Sequence, residues 1–212
     1  EGLAAYLSQS GKMMRTRFTC ALGEALGAPE RDLETIALVA ELVHNASLLH
    51  DDCIDRAALR RGLSTANAAF GETTAILLGD LAVAQSLRAS RSLAPESQDG
   101  LIEAIGLLIY GELMEDRHRK DIALTEEEYL RIVRLKNGAL FSWCGRAAAV
   151  AAGRPGSADD AAEIGLLTGL AHQLVDDALD LERTAAETGK DAFQDLRLGN
   201  PTLPLLRALA SD

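Results

Sequence analysis

Proline is what most narrows the folds open to this chain. Its five prolines stand at positions 29, 95, 155, 201 and 204, which leaves unbroken stretches of 65, 59 and 45 residues between the first four. Proline removes a backbone donor and breaks helices, so stretches of this length rich in Ala, Leu, Glu and Arg permit helices of many turns. Strand-type alternation is absent. Asp32 can cap a helix in which Ile36, Ala37, Ala40, Val43 and Ser47 recur at helical spacing, the pattern running on through Leu49 and Ile54 until Gly62. Such a helix has about 24 residues and a length of roughly 36 Å. Thr125-Glu126-Glu127-Glu128 reads as a capping box, with Leu124 and Tyr129 as its hydrophobic staple, and opens a helix that continues past Lys136. Ser157 with Asp160 opens another, which carries Ile164, Leu167, Leu170, Leu174 and Val175 toward Leu181. No internal repeat, low-complexity tract or long linker divides the 212 residues, so one all-α bundle is expected.

Charge narrows the partners. Thirty-two acidic against 21 basic side chains give a formal charge of -11, which repels phosphate backbones and anionic surfaces; neither nucleic-acid binding nor stable membrane insertion is expected. A small substrate carrying phosphate needs cations brought with it. Cys20, Cys53 and Cys144 are few, odd in number and without CxxC spacing, which reads as buried thiols in a reducing, cytoplasmic setting and offers no zinc knuckle. The first thirty residues show neither a basic nor an apolar targeting region, and eighteen apolar residues never run together.

Two segments carry chemistry that core packing would not choose. Asp51-Asp52-Cys53-Ile54-Asp55 and Asp176-Asp177-Ala178-Leu179-Asp180 are both DDxxD sets within apolar helical sequence, 125 positions apart. At about 100° per residue, Asp51 and Asp55 lie about 40° apart and His44 about 20° from Asp51, so one stripe holds all three. Gln173 similarly falls about 20° from Asp180, with Asp176 between their levels. Carboxylates stacked on an apolar face repel one another and lose hydration, and a hard divalent cation removes both penalties. Oxygen donors alone favour Mg²⁺ over Zn²⁺. A solvated acidic patch explains one such set by itself and does not explain two.

Basic residues supply the complement. Only four are lysines, at positions 12, 120, 136 and 190. Lys12 and Arg15 stand at i and i+3, on one helical face or turn, and suit a phosphate group. Arg60-Arg61-Gly62 follows the first acidic set, where guanidinium forks can take phosphate oxygens in pairs. Taken singly, these are a charged amino-terminal surface and cations suited to a helix end.

Together, in order, the motifs resemble the trans-polyprenyl diphosphate synthases: Gly11-Lys12-x-x-Arg15, Leu48-Leu49-His50-Asp51-Asp52-x-x-Asp55, Leu59-Arg60-Arg61-Gly62, Leu78-Gly79-Asp80, Gly111-Glu112, Lys136, Gln173-x-x-Asp176-Asp177-x-x-Asp180, Gly189-Lys190-x-x-x-x-Asp195 and Thr202-Leu203-Pro204. The resemblance implies long, mostly antiparallel helices around a central cavity, in a homodimer. It implies that the two acidic sets (Asp51, Asp52, Asp55; Asp176, Asp177, Asp180) bind Mg²⁺, with three ions gripping the diphosphate of an allylic substrate. Lys12, Arg15, His44 and Arg61 then hold isopentenyl diphosphate, while Arg60, Lys136 and Lys190 contact the allylic diphosphate and Gln173 lies beside them. Asp51, Asp55, Asp176 and Lys136 carry catalysis by stabilising the departing diphosphate, and no side-chain nucleophile is required.

In such enzymes aromatics four and five residues before the first acidic set stop the growing product. Here those positions hold Ser47 and Ala46, and no aromatic occurs between Phe18 and Phe70. A tunnel past Val43, Val39 and Ile36 and a medium-to-long product are therefore expected, with Tyr110 or a partner helix as possible closures. Against the family pattern, Asn137-Gly138 follow Lys136 where Thr-Ala is common, Asn200 stands where a lysine often follows glycine, and helices before and after this region are missing. Three other readings compete. An HD-type metal phosphohydrolase would use His44, His50 and Asp51 but leaves the second acidic set idle. A class I terpene cyclase differs at that second set. A non-catalytic subunit of a heteromeric synthase usually loses one set, and this chain keeps both.

Overall fold

The computed structural model describes residues 11–60, 62–182 and 194–210. Its elements run α1 (Met14–Leu26), α2 (Glu30–Ile54), a small hairpin of β1 (Leu59–Arg60) and β2 (Leu63–Ser64), α3 (Ala66–Phe70), α4 (Glu72–Ser90), α5 (Pro95–Arg117), α6 (Glu126–Val133), a π-helical turn (Arg134–Gly138), α7 (Ala139–Ala151), a short 3₁₀ turn (Pro155–Ser157), α8 (Ala158–Glu182), α9 (Gln194–Leu198) and α10 (Leu203–Leu209). Apart from the hairpin the architecture is all-α, and three of its helices exceed twenty residues, as the proline spacing predicts.

The apolar stripe of α2 is the core's spine. Ile36, Val39, Ala40 and Val43 pack against Leu101, Ala104 and Leu108 of α5 and Leu140, Trp143, Cys144 and Ala147 of α7. A second cluster joins Tyr129, Ile132 and Val133 of α6 to Leu170 of α8 and Leu206 of α10. Small residues bring α7 and α8 together, with Ala149 buried against Ala158 and Ala161. The α8 face differs from its helical pattern: Leu170 is buried, whereas Ile164, Leu167 and Val175 stay about half exposed.

Two boundaries differ from expectation. Helix α2 starts at Glu30 with Pro29 as its cap, placing Asp32 in the first turn, and ends at Ile54 rather than running to Gly62. Its end is set by residues further along the chain: Thr65 Oγ1 donates to Ala57 O at 2.6 Å, and Asn67 Nδ2 donates to the carbonyls of Asp52 and Ala57, both at 3.1 Å. Arg56 takes the left-handed conformation (φ 51°), and the chain turns back into a hairpin too short to show strand alternation. The capping box at Thr125 forms as expected, Thr125 Oγ1 accepting the Glu128 N–H at 3.2 Å and Glu128 accepting the Thr125 N–H at 3.0 Å. The helix it opens passes Lys136 through the π-helical turn.

Candidate active site

The carboxy-terminal half of α2 and the carboxy-terminal half of α8 face one cavity of about 400 Å³. Asp51 lines it from α2 and Asp55 from the cap just after that helix, and Asp176, Asp177 and Asp180 line it from α8. His44 shares the wall of Asp51 and Asp55, as the stripe geometry requires, and Gln173 that of Asp176 and Asp180. Lys12, Arg15, Arg60 and Lys136 supply cations to the same space. Arg61 and Lys190 lie outside the described residues.

Within each acidic set the middle aspartate turns inward. Asp52 is only 1% exposed and accepts from Arg60 through Nη2 at 2.7 Å and Nε at 2.9 Å. The hairpin is what returns Arg60 to it. Asp177, 3% exposed, accepts a short hydrogen bond from the Tyr129 hydroxyl and another from Gln173 Nε2 at 2.6 Å, while Asn137 Nδ2 donates to Gln173 Oε1 at 2.8 Å. Burial pushes the Asp177 carboxyl up, against the downward pull of these two donors, and pushes the Tyr129 hydroxyl up as well.

Lys136 sits where the π-helical turn meets α5. A Cβ at Gly111 would lie 2.7 Å from Lys136 N, so only glycine allows that approach. π-turns inside helices are frequent at functional sites. The ammonium is 2.6 Å from Glu112, 2.5 Å from Glu115 and 4.0 Å from Asp51. Burial alone would push Lys136 down, but Glu115, Asp51 and Glu112 outweigh it and keep the ammonium charged. Burial lifts the carboxyl of Asp51 to about 6 and that of Glu112 to about 7.

Arg15 is 6% exposed, lies 5.0 Å from the centre of the Phe141 ring, and keeps a buried Nε without a hydrogen-bond partner among the described residues. Arg15 also lines the cavity, and a buried donor without a partner is a group that a ligand can satisfy. Lys12 reaches Asp176 at 3.3 Å from outside helix α1, because Met13 is left-handed and the helix starts only at Met14. Asp180 accepts the Asp195 N–H at 3.2 Å, and Arg119 donates to Asp55 at 3.0 Å.

Three expectations take a different form. His50 turns to α4, with Nε2 3.2 Å from Ile76 O and 3.4 Å from Asp80, so it does not join His44 and Asp51 in an HD-type set. Val43, Val39 and Ile36 are packed core residues, no more than 2% exposed, which closes the expected tunnel; Ser47, Leu48 and Leu108 line the cavity there. Tyr110 is half exposed and does not line it.

Among the described residues no three His, Cys, Asp or Glu side chains converge to cage a metal ion. The oxygen donors instead stand on two walls. That suits Mg²⁺, which keeps waters and combines one or two carboxylates with substrate phosphates, and does not suit the closed tetrahedral sites of Zn²⁺.

A polyprenyl synthetase family model matches residues 1–212. The chain belongs to that family. It is 34% identical to the octaprenyl diphosphate synthase of Escherichia coli over 96% of its own length, and 33% identical to the nonaprenyl diphosphate synthase of Mycobacterium tuberculosis over 99%. It superposes on the crystal structure of a polyprenyl synthase from Caulobacter crescentus, complexed with calcium and isoprenyl diphosphate, with a TM-score of 0.90 and 34% identity over 95% of the chain. The chain spans 64%, 63% and 62% of these three proteins. Among its described residues no helix is long and apolar enough to cross a membrane.

Glu115 and Arg119 belong to no motif, Asn137 stands out in the sequence only as a departure from the family pattern, and Tyr129 only as part of a hydrophobic staple. Glu112 and Glu115 do stand at i and i+3, one helical face, which is the signal that a single cation serves both.

Proposed function

We propose that this polyprenyl synthetase family member condenses isopentenyl diphosphate with an allylic prenyl diphosphate to make a trans-polyprenyl diphosphate of medium-to-long chain. The observation that carries this reading is the pair of acidic sets facing each other across one cavity whose walls also hold cations, the buried Arg15 and the half-buried Lys136 among them. Asp51, Asp55, Asp176 and Asp180 would hold Mg²⁺ together with substrate phosphates, three ions by family resemblance, while Asp52 and Asp177 serve the site from behind through Arg60, Tyr129 and Gln173. Bound ions would supply positive charge to the diphosphate as it leaves the allylic carbon. Arg60 and Lys136 add fixed charge to the same leaving group, preorganised where negative charge develops. Lys12, Arg15 and His44 hold the second diphosphate, bringing the isopentenyl double bond to the allylic carbon; the released diphosphate takes the proton that the condensed product loses.

The medium-to-long reading rests on the octaprenyl and nonaprenyl products named for the two relatives and on Ser47, a small residue on the cavity wall in place of an aromatic; the buried Ala46 and the closed packing at Val43 add nothing to it. A homodimer is proposed on the family resemblance and on apolar side chains exposed along α4 and α5, Leu77, Leu81, Ile102, Ile109 and Leu113; sedimentation of the full chain at twice the monomer mass checks it. The cytoplasmic setting is proposed from the three free thiols. Chromatography of products made with Mg²⁺, isopentenyl diphosphate and C10, C15 or C20 primers tests the whole reading. Wild type should give polyprenyl products, and Asp51→Ala or Asp176→Ala should lower the rate by about a thousandfold, the scale of lost leaving-group stabilisation. Full activity in either variant sinks the assignment.

A further inference from the structure

Helix α5 ends in a basic run, Arg117-His118-Arg119-Lys120, to which none of the motifs gives a role. The fold turns it onto the first acidic set. Lys120 is left-handed (φ 66°), and its N–H donates to Gly199 O at 2.6 Å. Gly199 is itself at φ 80°, and a Cβ there would lie 2.5 Å from Lys120 Cγ, so the contact requires glycine on both counts. His118 is tied to Asp121 at 3.0 Å. The turn is thus pinned on both sides of Arg119.

Held in this way, the Arg119 side chain is one-fifth exposed and donates through Nη2 to Asp55 Oδ1 at 3.0 Å. Asp55 lines the cavity and Arg119 does not. The guanidinium therefore stands behind the carboxylate and engages Oδ1, which leaves the lone pairs of Oδ2 for a ligand arriving from the cavity. An arginine so close to a metal ligand would ordinarily repel the metal. Here Nε lies 3.5 Å from Asp116, whose carboxylate offsets part of that charge, and the Mn²⁺ measurement below decides between orientation and repulsion.

We propose that Arg119 is a positioning residue of the divalent-cation site: it fixes the Asp55 carboxylate from behind so that the ion meets an oriented oxygen. The inference rests on the reading of Asp55 as a cation ligand given above. Partners of this sort are typically worth about 10–100-fold in metal affinity.

Mn²⁺ binding by the full chain, followed by electron paramagnetic resonance in the presence of inorganic diphosphate, separates this inference from the reading beneath it. Asp55→Ala should weaken Mn²⁺ binding, Arg119→Ala should weaken it about tenfold or more, and Arg119→Lys should recover part of the loss, all with unchanged helical circular dichroism. If Arg119→Ala does not hold its fold, Arg119→Lys against wild type decides: with a shorter, single-point donor in place of the guanidinium Nη2, this variant should bind Mn²⁺ more weakly than wild type, and equal affinity overturns the inference. Unchanged affinity in a folded Arg119→Ala, with Asp55→Ala still impaired, overturns the inference alone. Tighter binding in Arg119→Ala overturns it too, since that shows competition with the ion. If Asp55→Ala binds like wild type, the cation-site reading falls and the role of Arg119 with it.

Discussion

The two acidic sets share a spacing and differ in how the protein balances their charge. In the first, every carboxylate meets a cation: Asp51 faces Lys136 at 4.0 Å, Asp52 holds Arg60 at 2.7 Å and Asp55 accepts from Arg119 at 3.0 Å. In the second, Asp177 is held by neutral donors, Tyr129 and Gln173, and Asp180 accepts a backbone N–H; Asp176 meets Lys12, which is two-thirds exposed, and His172 at 3.4 Å. A buried charge needs either a counter-charge or enough hydrogen bonds. At its middle aspartate the α2 wall uses the first solution, Arg60 on Asp52, and the α8 wall the second, Tyr129 and Gln173 on Asp177.

If that contrast is right, breaking the middle aspartates should hurt the two walls unequally. Asp52→Ala takes from the one-fifth-exposed Arg60 guanidinium the buried carboxylate that it holds; removal of one member of a fully buried pair costs about 3–5 kcal/mol, and the partial exposure of Arg60 puts the loss near the lower end. Urea unfolding of the metal-free chain should show that loss as a lower midpoint with an unchanged slope. A loss under 1 kcal/mol would mean that Arg60 finds other partners and that the α2 wall is not charge-balanced as described.

Tyr129→Phe is the matching change on the α8 wall. It removes one donor to Asp177 while Gln173 Nε2 remains at 2.6 Å, so the cost is that of an under-satisfied buried carboxylate, about 1–3 kcal/mol. A loss as large as that of Asp52→Ala would erase the distinction between the two walls.

How far sequence led to this contrast is plain from individual residues. Proline spacing placed the long helices, the Thr125 box formed with both of its hydrogen bonds, and the stripe of His44, Asp51 and Asp55 does line the cavity. Those features rest on local periodicity, which a sequence displays directly. The end of α2 does not, because Thr65 and Asn67 set it by bonding carbonyls eight or more residues back. Nor does the closed tunnel, since Leu101, Leu140 and Trp143 fill it from two other helices. The inward turn of Asp52 depends on the same hairpin and was equally out of reach. Arg119 is the extreme case: 64 residues from Asp55, it meets that carboxylate only because the turn after α5 is pinned to Gly199.

The smallest effect concerns pH and belongs to the α2 wall. Glu112 faces Lys136, Asp51 and Glu115, and burial raises its carboxyl to about 7 from an ordinary value near 4.5. Between those two values the folded chain keeps a proton that the unfolded chain releases. The stability this gives is therefore fully present below pH of about 4.5 and is lost as pH rises to about 7, the reverse of the usual salt-bridged carboxylate. Asp51, raised to about 6, contributes with the same sign. Glu112→Gln removes one of these two titrations while still offering Lys136 an oxygen. The melting temperature of metal-free wild type relative to Glu112→Gln should accordingly fall by about 2–4 °C across that interval, the shift expected for roughly 1 kcal/mol in a chain of this size. A difference that rises with pH would show that Lys136 holds Glu112 ionised throughout, and that the three carboxylates around it are already fully balanced.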